Sequence, residues 1–300
     1  MALAARRENW LIFVDTNIML DFYRTAGERV ERQIAGLERH LNSIIVTEQV
    51  KMEFLKNRQK TIVDALQKIA APAKLELPMI VTGSRPADML RKAVDQAGKR
   101  HKELRQRVQK ILTDPGQSDP VYQGLNRIFA SDHAYNLKRP NKLRFQIRRL
   151  AWKRFMMGYP PRKASDTSIG DAINWEWIIH CAQSSTDNHH VLIVSRDSDY
   201  GVTYPGGTIL NDWLRSEFKL RVSQKRKIEL TNRLTVALKK LDENVTAEDE
   251  AAEDDVISNW LNMTTPASPG NFERFLSALE SARLQIGGGS SDDGGEGPST

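Results

Sequence analysis

The chain has little of what a secreted or membrane protein needs. It contains one cysteine in 300 residues, Cys181, which rules out an internal disulfide framework and favours a cytoplasmic protein. No apolar run approaches the roughly 18 residues that span a bilayer, and the opening MALAARRENW lacks the apolar core of a signal peptide. No P-loop and no GxGxxG pattern occurs, so nucleotide switching is not expected.

Charge of one sign is concentrated in one part of the sequence. The net charge is +6, but residues 91–163 carry 19 Lys and Arg against five Asp and Glu, a balance of +14. The remainder of the chain therefore carries −8. A basic block beside an acidic remainder favours a polyanionic partner, although a solvated helix surface would give the same pattern.

Two short apolar segments end in carboxylates. LIFV (11–14) precedes Asp15, and VLIV (191–194) is followed by Asp197 and Asp199. Both segments are typical of strands buried inside a parallel sheet, and the ligand sites of such sheets lie beyond the carboxyl ends of the strands. For Asp15 alone, a helix cap is an equally good interpretation.

Two further acids lie on predicted helices. Glu53 follows the predicted strand SIIVT (43–47) by about two helical turns, and Asp171 opens the helix GDAINWEWII. Glu48 is a rival for Glu53, but its place in the first helical turn suits it to complement the helix dipole. Asp166 is either a sixth acid or the cap of a turn.

Four or five neighbouring carboxylates raise one another's pKa, and a bound cation relieves that repulsion. A ligand set of oxygens without His or Cys favours Mg²⁺ or Mn²⁺ over Zn²⁺. Two ions roughly 3.5–4 Å apart would suit hydrolysis of a phosphodiester.

Strands alternate with helices, which predicts a parallel sheet covered on both faces. We predict one domain over 8–241, followed by an acidic spacer, short helices and a flexible tail over 242–300. The stretch from about 60 to 160 shows no strand and is predicted to be a helical, basic insertion. The predicted helices are 17–40, 48–71, 85–112, 138–157 and 169–183, with a loop over 114–120 and a last short strand over 208–210.

The strand followed by DTN, the later Glu, GDAI and IVSRDSDY together resemble the PIN-domain nucleases, over residues 10–60 and 160–220. PPRKASD before GDAINWEWI is similar to a larger bacterial PIN-like variant with a helical insertion. The resemblance implies a three-layer α/β/α sandwich and metal-dependent cleavage of single-stranded RNA. It also implies an acidic quartet with a fifth acid: Asp15, Glu53, Asp171, Asp197 and Asp199.

Asn17 matches the small polar residue that follows the first acid in that family, where it would hold the loop, and we place it at the nucleic-acid interface. The same position argues against a haloacid-dehalogenase-like phosphatase, which needs a second Asp there. Four basic residues of the stretch KLRFQIRRLAWKRF are predicted to grip phosphates: Arg148, Arg149, Lys153 and Arg154.

The function predicted from sequence is an endoribonuclease acting on single-stranded RNA or tRNA, in the setting of a toxin or a phage-defence effector, with a regulatory protein partner. The alternatives are a nuclease for single-stranded or structured DNA, and an inactive PIN scaffold that binds RNA. A scaffold has no need to keep four mutually repelling acids.

Overall fold

The computed structural model describes residues 8–25, 27–67, 69–162, 168–186, 189–204 and 207–264. The chain divides into two compact units, Met1–Val256 and Ile257–Thr300. The described part of the second unit is residues 257–264, which continue the last helix. Over the described ranges, every helix is too short or too polar to traverse a lipid bilayer.

Five of the seven strands defined in the described residues form one parallel sheet, in the order β3-β2-β1-β4-β7. The other two, β5 and β6, pair antiparallel as a separate hairpin. The predicted central parallel sheet is confirmed. The strands are β1 Trp10–Val14, β2 Ile44–Thr47, β3 Asn136–Leu137, β4 His190–Val194, β5 Gly201–Tyr204, β6 Gly207–Leu210 and β7 Ile228–Thr231.

Helices flank this sheet, which confirms the predicted α/β/α arrangement. Short 3₁₀ turns lie at Asp21–Tyr23, Leu41–Ser43 and Met79–Val81. The α-helices are α1 Thr16–Leu20, α2 Gly27–Arg39, α3 Glu48–Gln67, α4 Arg85–Thr113, α5 Pro115–Ser118, α6 Pro120–Ala130, α7 Leu143–Met156, α8 Gly170–Ser184, α9 Asp212–Arg221, α10 Leu234–Lys240 and α11 Ala247–Thr264.

The core lies where the apolar runs of the sequence place it. Every side chain of β1 is buried, and β4 is buried from Val191 to Val194. On α8, Trp175 and Trp177 are also buried, as expected of core residues, and so is Cys181. Burial of each large apolar side chain contributes about 1.5–3 kcal/mol, so these adjoining runs hold the centre of the sheet rigid.

The single helix predicted after β1 is interrupted. It consists of α1, a 3₁₀ turn and α2, which begins at Gly27. The buried carboxylate of Asp21 lies at this break, where it pairs with Arg24 and Arg196. The break therefore ties the loop after β1 to the loop after β4.

The region from 60 to 160 is not uniformly helical, because β3 pairs with β2 through Val46–Asn136 and Thr47–Leu137. The absence of a strand predicted there is wrong. Helix α6 packs on α2 and buries Leu125 and Ile128. In contrast, Ala87 is the one buried residue of α4. The predicted loop over 114–120 includes the helical turn α5.

The acidic segment after residue 241 is not a solvated spacer over the part that the structure describes. Asp249 accepts a hydrogen bond from Arg32 (2.7 Å), and Glu243 accepts one from Arg39 Nε (2.9 Å). Glu253 accepts from the backbone N–H of Thr235 (3.1 Å) at the start of α10. That expectation is wrong because basic residues and a helix N-terminus of the first unit meet these acids. The predicted tail beyond residue 264 lies outside the described residues.

Candidate metal centre at the carboxyl ends of β1 and β4

The candidate site lies where the strand order of the sheet reverses. Strands β1 and β4 are neighbours, while β2 and β3 extend to one side and β7 to the other. A crevice opens at the carboxyl ends of the strands at such a switch point. The backbone N–H of Asp15 donates to the carbonyl of Val194 (2.9 Å), so the loops after the two strands are held edge to edge.

Asp15 is buried, and each of its carboxylate oxygens has its own partners. Oδ1 accepts from the backbone N–H of Thr16 (2.7 Å) as the N-cap of α1. Oδ2 accepts from Asn17 (2.7 Å) and from the hydroxyl of Ser195 (2.5 Å). Burial, with a smaller contribution from the charges of Asp197 and Glu53, raises the pKa of Asp15 to about 6 despite these hydrogen bonds.

Glu53 reaches the same crevice from α3. Its two carboxylate oxygens accept from the hydroxyl of Thr16 (3.1 Å) and from Gln49 Nε2 (2.7 Å). The first residue of α8, Gly170, lies so close that an added Cβ would be 2.6 Å from Glu53 Oε1. Glu48 instead occupies the first turn of α3, as the sequence predicted.

Asp171, Asp197 and Asp199 form the tightest part of the cluster. Each contributes a carboxylate oxygen, and these oxygens all lie within 4.8 Å of one another. Burial, and after it the charges of the nearby carboxylates, first Asp15 and then Asp197, together raise the pKa of Asp171 to about 8. The predicted sixth acid, Asp166, lies outside the described residues.

Five neighbours of the cluster were not singled out from the sequence: Thr16, Gln49, Gly170, Ser195 and Tyr200. Ser195 stands inside the IVSRDSDY motif and orients Asp15, but a lone serine carries no sequence signal of that role. Burial, and then the charges of Asp171 and Asp15, raise the pKa of Tyr200 well above its usual value. Its hydroxyl has no hydrogen-bond partner among the described residues.

The residues present fit a hard divalent cation. The converging ligand atoms are all carboxylate oxygens, which Mg²⁺, Mn²⁺ and Ca²⁺ accept and which Zn²⁺ sites seldom use alone. The pKa of Asp171 is raised first by burial and then by the charges of the neighbouring carboxylates. A bound cation would remove that repulsion.

Comparison with protein-family models identifies the family of the chain. The model of the family described as PIN domain matches residues 12–200, more than half of the sequence. The chain belongs to the PIN-domain family. Neither the comparison with curated proteins nor the comparison with solved structures gave a match.

PIN domains are typically metal-dependent nucleases, and the family membership agrees with the carboxylate cluster. The matched range contains all five clustered acids, from Asp15 to Asp199, and the whole region predicted as an insertion. The sequence resemblance stated above is thereby confirmed.

A basic cavity of about 490 Å³ adjoins the acids of this PIN domain. Gln49, which donates to Glu53, lines the cavity, and so does Ile173, two residues after Asp171. The remaining lining residues are Thr47, Glu48, Met52, Leu137, Lys138, Arg139, Arg144 and Arg148. Four cations against one carboxylate make this wall positive, which suits the phosphates of a nucleic acid.

The four residues predicted to grip phosphates do not share one environment. Arg148, Arg149 and Lys153 are exposed on α7. Arg154 is on the buried side of α7, with 3% of its side chain exposed, and it pairs with Glu176 (2.9 Å) and Glu217. The prediction for Arg154 is wrong, because its guanidinium is buried in an ion-pair network with two carboxylates.

Asn17 lies between the two loops of the site. Its Nδ2 donates to Asp15 (2.7 Å) and to Ser195 (3.3 Å), and its Oδ1 accepts from the backbone N–H of Arg196 (3.3 Å). These bonds support the loop-holding role expected of it. Its contact with nucleic acid stays a prediction.

Proposed function

We propose that this protein is a metal-dependent endonuclease that hydrolyses phosphodiester bonds in single-stranded RNA. The observation that carries the proposal is the convergence of carboxylates from two strands and two helices on one crevice, at the switch point of the sheet. The adjoining basic cavity supplies a place for the substrate backbone.

In this proposal Asp171, Asp197 and Asp199 would hold one divalent cation, Mg²⁺ or Mn²⁺. Asp15 and Glu53 would serve a second ion or the waters around the first. The chemistry supplied by such a cation would be a lowered pKa of bound water and neutralisation of charge on a phosphate. Ser195, Asn17 and Thr16 orient the carboxylates of Asp15 and Glu53 through the hydrogen bonds described above.

The chemical outcome is addition of one water across the phosphodiester. The bond between phosphorus and the 3′ oxygen breaks, leaving a 5′-phosphate and a 3′-hydroxyl. Lys138, Arg139 and Arg148 in the cavity, with Arg149 and Lys153 beyond it, hold the flanking phosphates and keep the strand aligned with the acids.

We propose RNA over DNA because of the family resemblance. The biological setting that we propose is a toxin or antiviral effector in the cytoplasm, whose activity a protein partner inhibits. The experiment incubates the purified protein with labelled single-stranded RNA, tRNA, single-stranded DNA and duplex DNA, in Mg²⁺, Mn²⁺ or EDTA. We expect cleavage of single-stranded RNA in either metal and none in EDTA.

Asp171→Asn should abolish cleavage, and Asp255→Asn, which alters an exposed carboxylate far along the chain, serves as the matched control. Full cleavage in EDTA, or equal rates for both variants, would refute the metal-dependent mechanism. Faster cleavage of DNA than of RNA would contradict the proposed RNA substrate and favour the alternative, a DNA nuclease.

A further inference from the structure

One exposed face of α7 alternates aromatic and basic side chains. Residues three, four, seven and eight positions apart on a helix lie on the same side. Phe145, Arg148, Arg149, Trp152 and Lys153 have this spacing and are all exposed. We call these five residues the α7 stripe.

The two rings of the α7 stripe remain in solvent although α7 has a buried side. Phe145 is 61% exposed and Trp152 is 53% exposed, whereas Ile147 and Ala151 on the opposite side are buried. Large aromatic residues are usually drawn into the core or into an interface. Their exposure beside three cations, with no acid in the stripe, indicates a surface made for an anionic and aromatic partner.

The rings are supported by neighbours. Trp152 stacks on Phe155 with ring centroids 5.7 Å apart and planes 11° apart, and the guanidinium of Arg162 lies 4.4 Å over Phe155. The guanidinium of Arg144 lies 4.6 Å over the ring of Phe145. A flat ring held by a stacked neighbour loses little conformational freedom when a second flat group stacks on it.

The α7 stripe is continuous with the candidate metal centre. Arg148 belongs both to the stripe and to the wall of the basic cavity, and Arg144 lines the same wall. Gln49 lines the same cavity and donates to Glu53 of the acid cluster (2.7 Å). A strand lying along the stripe would therefore lead through the cavity to the carboxylates.

We propose that the α7 stripe binds a single strand of nucleic acid by stacking its bases on Phe145 and Trp152. Arg148, Arg149 and Lys153 flank the rings and contact the phosphates between the stacked bases. In a duplex the faces of the bases are occupied by their neighbours, so this surface selects unpaired strands with little preference for sequence. The inference rests on the proposed function for its substrate and adds the means of recognition.

The test measures binding rather than cleavage, on the full chain in EDTA. The probes are a short single-stranded RNA, a strand of equal length with the same sugar-phosphate backbone but no bases, and a duplex. Trp152→Leu keeps an apolar side chain without an aromatic face, and Trp152→Phe keeps the face. Arg148→Gln combined with Arg149→Gln removes charge alone.

We expect Trp152→Leu to weaken binding of the base-bearing strand by roughly 5- to 100-fold, from about 1–3 kcal/mol per stacked base. The same variant should leave the abasic strand and the duplex unchanged, and Trp152→Phe should retain most of the affinity. The double arginine variant should weaken binding of all three probes. For the single strands, the slope of log K against log salt concentration should become shallower by about 0.7 per lost phosphate contact.

Equal losses for the base-bearing and abasic strands in Trp152→Leu would overturn the inference, and so would no loss at all. A change of oligomeric state in that variant, with RNA affinity unaltered, would instead assign the stripe to a contact between copies of the chain. Because no cleavage is scored, these outcomes are independent of the proposed hydrolysis. Cleavage could fail while stacking holds, or the reverse.

Discussion

The carboxylate of Asp15 caps a helix, and its role in the metal site stays a prediction that the cap does not exclude. Oδ1 caps α1 through the N–H of Thr16, while Oδ2 is held by Asn17 and Ser195 on the side of the acid cluster. A helix cap needs one acceptor oxygen, so the other remains for the site. Sequence alone could not decide this, because a cap and a ligand require the same residue type at the same place.

The raised pKa of Asp171 predicts a pH effect on the metal-free protein. Its pKa is about 8 in the folded chain against an ordinary value of 3.8, so the folded state binds the proton more tightly than the unfolded state. Stability from this residue is therefore full below about pH 4 and is lost as the pH rises towards 8. At about 1.4 kcal/mol per pKa unit, the upper bound is several kcal/mol.

Asp171→Asn should accordingly melt at a higher temperature than the unaltered protein in EDTA, with a difference that grows from about pH 5 to about pH 8. Thermal unfolding at several pH values in that range measures it. If the melting temperatures of the two proteins changed with pH in parallel, the pKa of Asp171 would not be raised by burial and by its neighbours.

Gly170 predicts an effect on activity without a large effect on stability. A Cβ there would lie 2.6 Å from Glu53 Oε1 and 2.7 Å from Gln49 Nε2, the ends of two side chains. In Gly170→Ala these ends must move, so we expect cleavage to fall about tenfold or more with about 1 kcal/mol or less of destabilisation.

Gly98→Ala on the exposed helix α4 is the matched control, because a Cβ there meets nothing within 4 Å. It should stabilise the protein by about 0.5–1 kcal/mol and leave cleavage unchanged. Equal cleavage rates for Gly170→Ala and the unaltered protein would contradict the assignment of Glu53 to the active site.

At the scale of elements, α7 shows what sequence reasoning can and cannot reach. Its helical character and its basic charge were predictable, and the helix is present over Leu143–Met156. The burial of Arg154 was not predictable, because its partners Glu176 and Glu217 lie 22 and 63 residues away. In the sequence, the basic residues of α7 cannot be told apart, and only the packing of α7 on α8 shows which of them is buried.

The two environments predict opposite behaviour for neighbouring basic residues. Arg154→Gln removes one buried partner of Glu176 and Glu217, and because Arg221 still pairs with both, the protein should lose about 1–3 kcal/mol of stability. Arg149→Gln should change stability by less than about 0.5 kcal/mol and weaken RNA binding instead. Denaturant unfolding and RNA titration of both variants check this, and similar stabilities would contradict the buried network.

Two strands of the main sheet escaped prediction for different reasons. Strand β3 has two residues and exists through its pairing with β2 and through Asn136, whose side chain donates to the carbonyls of Phe129 and Ser131. Strand β7, with the sequence IELT, lies at the sheet edge and lacks a long apolar run. Short edge strands depend on partners that are distant in the sequence.

At the scale of the whole molecule, the acids after residue 241 and the basic residues of α7 have different surroundings. The acids that follow residue 241 were expected to be solvated, yet Asp249 and Glu253 bind Arg32 and the start of α10. Arg148, Arg149 and Lys153 are exposed on α7, and the cavity that Arg148 lines has four cations and one carboxylate, Glu48. We expect this positive surface near the acid cluster to meet an external polyanion.

The central claim is that the carboxylates at the ends of β1 and β4 bind divalent cations. Calorimetric titration of Mn²⁺ into the metal-free protein tests it most directly, with Asp197→Asn and the control Asp255→Asn in parallel. We predict saturable binding to the unaltered protein and to Asp255→Asn, and binding that is weakened at least tenfold in Asp197→Asn. Identical titration curves for all three proteins would contradict the assignment of this crevice as the metal centre.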